Sequence, residues 1–141
     1  GDIVVKELND ETIYMERGAY LCHLGNIETS ATWEGFRGAF AEGMLGLRVS
    51  GTGLLFFGSY GDIQEVEVNG SYSVDNGYAV AWESSLDYSI SFSGRTVRSF
   101  LFGDQIICKY HGNGKLWIQT RSPRNLAAWV HPFRPVQSKN D

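Results

Sequence analysis

The chain has 141 residues, of which 43% are hydrophobic and 20% charged, with 17 glycines, 3 prolines and 2 cysteines; it can bury a real core as one compact domain or two very small ones, and it is too apolar to stay disordered. Two cysteines make no disulfide framework and no apolar run reaches the length of a membrane span, so a disulfide-stapled scaffold and a helical membrane protein are excluded, and a reducing, cytoplasmic compartment is expected. The net charge of −4 divides into −10 over residues 1–88 and +6 over residues 89–141, so an acidic part is followed by a basic one, and the favoured reading is that the two meet within a molecule or between neighbours.

In chain order, the abundant glycines and aromatics predict many short strands joined by tight turns. "GDIVVKEL" (1–8) is an opening strand. "MERGAYLCHLGNIETSA" (15–31) reads as a Gly-containing turn and two strands. In the insert "WEGFRGAFAEGMLG", Trp33, Phe36, Phe40 and Met44 recur near helical spacing among four glycines, which predicts a short helix or a compact loop. "LRVSGTGLLFFGSY" reads as two strands about a Gly-rich turn. "IQEVEVNGSYSV" carries Asn69-Gly70 between two alternating runs, a hairpin signal. In "DYSISFS", Tyr88, Ile90 and Phe92 share one face of a half-buried strand. Ser122 followed by Pro123 in "SPRNLAAWV" predicts the start of a helix of about two turns, closed by "HPFRP".

The opening phrase returns as "GDIQEVEV" at Gly61. Met15 to Ala31 then lies over Val74 to Ile90 without a gap, and "GLLFFGSYG" (53–61) is aligned with "DQIICKYHG" (104–112). "GNGKLWIQT" (112–120) reads as a third opening phrase. The expected architecture is all-β, in two consecutive antiparallel β-sandwich units, 1–60 and 61–141, the second with a third opening strand and one short C-terminal helix. A chain that begins on a repeat boundary is expected to follow an earlier unit.

The segments "GDIVVKEL", "ERGAYL", "SYGDIQEVEV", "VDNGYAVAWESSLDYSI", "GKLWIQTRSP" and "LAAWV" resemble the altered-inheritance-of-mitochondria, or mitochondrial biogenesis, family, which has bacterial and archaeal members. The resemblance implies consecutive β-sandwich units like the tryptophan RNA-binding attenuation protein, about three in a full-length member, with about one lying before Gly1. It supplies no activity to carry onto particular residues.

The residues raise four chemistries. Cys22-His23 and Cys108 with His111 contain a zinc donor set, but on strands the members of each pair face opposite ways, so no metal and no cofactor is expected. Glu83 and Asp87 near Trp82 could do acid–base work, yet Asp87 has Glu28 at the equivalent place in the other copy, and no nucleophile or phosphate-loop motif is present; no enzyme activity is expected. Arg95, Arg98, Lys109, Lys115, Arg121 and Arg124, with Tyr110 and Trp117 interleaved, could form an RNA or polyanion face, unless the rings are core. Trp33, Phe36, Phe40 and Met44 are the candidate interface of a homo-oligomer, or of peripheral contact with a membrane surface. A self-assembling structural module is therefore the favoured function, polyanion binding the alternative, and a small-molecule site a third reading that needs a pocket.

Overall fold

Runs that alternate or repeat apolar residues form long strands. The structure is a computed structural model that describes residues 1–32, 46–92 and 106–134. Its elements are β1 (Ile3–Glu16), β2 (Tyr20–Thr32), β3 (Gly46–Gly58), β4 (Ile63–Asp75), β5 (Ala79–Glu83), β6 (Leu86–Phe92), β7 (Ile106–Gln119), an eight-residue helix α1 (Pro123–Val130) and a 3-10 turn His131–Phe133. Among the described residues the fold is thus all-β, mostly antiparallel sheet with one short C-terminal helix. Among the described residues the strand order is β2-β3-β1-β5-β7-β4, with β6 also paired to β7.

Two expected turns are not turns: β3 passes through Gly51-Thr52-Gly53 and β4 through Asn69-Gly70, and β2 likewise runs unbroken through Gly25. The cause is strand pairing: β3 bonds β1 along one edge and β2 along the other, and β4 follows β7 from Ile63 to Asp75 without a slip. Positive φ at Gly25, Gly51 and Gly53 lets neighbouring strands bend together at one level, where Gly25 lies opposite Gly53. A Cβ on Gly53 would run into the Leu24 carbonyl oxygen, so only glycine allows this approach. On the other flank β1 adapts with an irregularity between Leu8 and Glu11, where the Asp10 N–H donates to Thr52 Oγ1 at 3.0 Å.

The registers also correct the expected internal alignment. Leu8 lies opposite Gly53 in the β1/β3 pair, and Val68 opposite Gly114 in the β4/β7 pair. Gly51-Thr52-Gly53 therefore stands to β1 as Gly112-Asn113-Gly114 stands to β4. Residues 112–120, expected as a third opening strand, are instead the second half of β7 and the residue after it. The two "GDI" phrases meet directly: the Asp2 N–H donates to the Gly61 carbonyl at 3.1 Å, and Asp2 Oδ2 accepts from the Ile63 N–H at 3.0 Å.

A core lies on each side of a shared seam. The first gathers Leu8, Ile13, Met15, Leu55, Phe57 and Trp117; the second gathers Val68, Trp82, Leu86, Cys108, Tyr110 and Leu116. β5 supplies both, Val80 and Ala81 to the first and Ala79 and Trp82 to the second. Its four apolar residues are buried on both faces, as in a central strand. At the seam's edge Glu83 accepts the Lys115 N–H at 2.9 Å and pairs with Lys6 Nζ at 3.6 Å. Glu83 and Asp87 thus do not form the converging pair that acid–base work needs: Glu83 ties three strands together, and Asp87 is exposed.

The helix starts where Ser122-Pro123 predicts. The Ser122 carbonyl accepts the Leu126 N–H, but its hydroxyl makes no capping bond, because the side chain is buried beside Gly77.

Candidate functional site

Strand alternation puts Val4, Lys6 and Leu8 on the inner face of β1 and Ile3, Val5 and Glu7 on the outer face. Directly opposed residues of antiparallel strands share a face. Cys22, Phe56 and Val5 therefore form one cross-strand row on the outside of β2-β3-β1, and Leu24, Leu54 and Glu7 form the next. Leu21 adds to the same side, its side chain lying where a Cβ on Gly58, opposite Ile3, would meet it. Five of these apolar side chains are open to solvent: Ile3 is 66% exposed, Leu24 61%, Val5 54%, Leu21 48% and Leu54 37%. A contiguous apolar sheet face of this kind marks an interaction surface rather than scattered surface leucines.

The patch adjoins a sheet edge. β2 is an outermost strand of the order, thirteen residues long, and Glu28 is its one acidic or basic residue apart from His23. Edge strands that must stay solitary are usually short or heavily charged. β2 is neither.

A second apolar stripe runs along α1 into the turn that follows. Leu126, Trp129, Val130 and Phe133 recur at helical spacing and are all exposed, with the Trp129 and Phe133 rings 5.5 Å apart. No residue of α1 is buried.

The cations expected to line a polyanion face are dispersed. Lys115 Nζ is bonded to Glu65 Oε1 at 2.6 Å, and that bond raises its pKa. Arg124 lies by Glu16, whose carboxyl is pushed up by desolvation and drawn back by the guanidinium. Lys109 is exposed on β7, and Arg121 is exposed in the connection from β7 to α1. Tyr110 and Trp117, candidates for base stacking, are core side chains, 0% and 2% exposed, and so are closed to a stacking base. Arg95, Arg98 and the candidate interface residues Trp33, Phe36, Phe40 and Met44 lie outside the described residues.

Cys22 is exposed and Cys108 buried, and among the described residues no three metal-ligating side chains converge. His23 Nδ1 is instead hydrogen bonded to the Tyr20 hydroxyl at 2.8 Å. No helix among the described residues is long and apolar enough to cross a membrane.

The outer face escapes a reading of the sequence alone. Its signal is present in "IVV" (3–5) and "LLFF" (54–57), where both parities of a strand are apolar and one face must lack polar cover.

The mitochondrial biogenesis AIM24 family model matches residues 1–121. The chain is 28% identical over 142 residues to an uncharacterized protein of Streptococcus pyogenes serotype M6, covering 98% of this chain and 57% of that protein. It is also similar to a crystal structure of a protein from Streptococcus pyogenes, with TM-score 0.81, 25% identity, and coverage of 94% of this chain and 60% of that one. The chain thus spans less than two-thirds of the length of either relative.

Proposed function

The chain belongs to the mitochondrial biogenesis AIM24 family, and from that premise we propose that it is a non-enzymatic, self-assembling structural module. The observation that carries this is the exposed apolar face of Ile3, Val5, Leu21, Leu24 and Leu54 beside the nearly uncharged edge strand β2. Covering the face would remove apolar surface from water, and pairing the edge would satisfy its backbone groups. A closed homo-oligomer does both. The matching β1/β3 and β4/β7 registers support two related units, 1–60 and 61–141.

The α1 stripe of Leu126, Trp129, Val130 and Phe133 favours a peripheral membrane contact as a second use of the same scaffold. RNA or polyanion binding is the weaker alternative, because Lys115 is engaged by Glu65 and both proposed stacking rings are core. Light scattering at low and high salt tests assembly. A discrete oligomer that survives salt supports the apolar face, and a monomer at both salts removes the proposal.

A further inference from the structure

The helix α1 is turned the opposite way to most surface helices, which face their apolar stripe to the core. Asn125 Nδ2 donates to the Tyr78 hydroxyl at 2.8 Å, Ser122 is buried beside Gly77, and Arg124 lies by Glu16. These contacts hold the polar side of α1 against the β4-β5 turn and the end of β1. Leu126, Trp129, Val130 and Phe133 lie on the other side, with Trp129 68% and Phe133 72% exposed. The stripe therefore points away from its own sheet. The chain presents two apolar surfaces, this stripe and the outer face of Ile3, Val5, Leu21, Leu24 and Leu54, and neither covers the other.

Charge distinguishes the two surfaces. Arg121 precedes the helix and Arg134 follows the 3-10 turn, both exposed, and residues 121–134 contain three arginines and no acid. The outer face carries exposed acids instead. Glu7 shares the row of Leu24 and Leu54, and Glu28 follows on the same side of β2, because its neighbour Ile27 is buried on the inner side. Arg48, farther along that side, is half-buried and donates to Ser50 Oγ at 3.1 Å. An apolar centre with a basic rim thus matches an apolar centre with an acidic one. The same charges disfavour an anionic bilayer as the occupant of the stripe, since the chain is −4 overall and −10 over residues 1–88.

Resting on the assembly reading, we propose that its contact joins unlike surfaces: the α1 stripe of one copy docks on the outer sheet face of a second copy, with Arg121 and Arg134 near Glu7 and Glu28. Trp129 and Phe133 supply the aromatic anchors that dominate such contacts. Each copy gives one helix and receives one, so the assembly closes when every face is filled.

The test is complementation, read by multi-angle light scattering with circular dichroism as the check on folding. Trp129→Lys disables the stripe and Leu24→Lys the face, both at exposed positions. Each variant alone should fall to monomer where the wild type is an oligomer, its association weakened about thirtyfold or more. An equimolar mixture of the two should give a 1:1 complex, because the intact helix of one meets the intact face of the other. A mixture that stays monomeric, or a Trp129→Lys protein that assembles like the wild type, overturns the docking; if Leu24→Lys still dissociates, the assembly reading stands and the face pairs with another surface. A monomeric wild type removes both. Binding of the wild type to vesicles of phosphatidylglycerol and phosphatidylcholine that Trp129→Lys abolishes while its oligomer persists also overturns the docking, and gives the stripe to a membrane.

Discussion

Leu116 and Trp117 are consecutive residues of β7, and each is buried in a different core. Strand alternation sends Leu116 to the side of Tyr110 and Cys108, and Trp117 to the side of Phe57, whose ring it meets edge-on at 5.6 Å. The β1-β5-β7 seam is therefore shared by both halves. Truncating either residue should weaken the whole molecule: about 2–5 kcal/mol for Leu116→Ala and about 3–5 kcal/mol for Trp117→Ala. Urea unfolding followed by tryptophan fluorescence and by far-ultraviolet circular dichroism should give coincident single transitions for both variants. Two separated transitions would mean that the cores are independent.

Gly53 and Gly18 make a matched pair for the strand bend. At Gly53 φ is +154° and a side chain would collide with Leu24 backbone, whereas a Cβ at Gly18 would meet nothing within 4 Å. Gly53→Ala should cost about 1–3 kcal/mol or more, through strain and forced separation of β2 from β3. Gly18→Ala should stay within about 0.5 kcal/mol of wild type. Thermal melts of the two variants decide it; equal melting temperatures would remove the bend as the reason for glycine.

These glycines also explain how far the sequence could be read. Apolar alternation predicts the strands, and Ser122-Pro123 predicts the helix, because those signals are local. A glycine that bends a strand and one that ends it look alike until the neighbouring strands are known. That is why Asn69-Gly70 reads as a hairpin but lies within β4. The outer face follows the same logic: both faces of "IVV" and "LLFF" are apolar, and only the three-dimensional pairing tells which is covered. Tyr110 and Trp117 are open to two readings in sequence for the same reason, and burial resolves them as core.

Glu16 provides a pH signature. Its folded-state pKa is raised above the ordinary 4.5 by desolvation, with Arg124 opposing. At pH values below 4.5 the carboxyl is protonated in both states and has no effect on the balance. As pH rises past that value the unfolded chain releases the proton first, so stability falls until the folded-state pKa is passed. Glu16→Gln should remove this fall, its stability relative to wild type growing with pH across that window and then levelling. Melting temperatures of both proteins through the acid range check it, and a pH-independent difference would contradict partial desolvation of this surface carboxyl as its cause.

The measurement closest to the central claim is native mass by multi-angle light scattering, at low and high salt, for the wild type, Leu24→Lys and Val5→Lys. Both substitutions lie on solvent-exposed positions of the outer face, so folding should persist, as circular dichroism would verify. Assembly through that face predicts a discrete oligomer in the wild type that persists at high salt and dissociates to monomer in either variant. A wild type that is monomeric at both salts, or an oligomer that neither lysine disturbs, would contradict it.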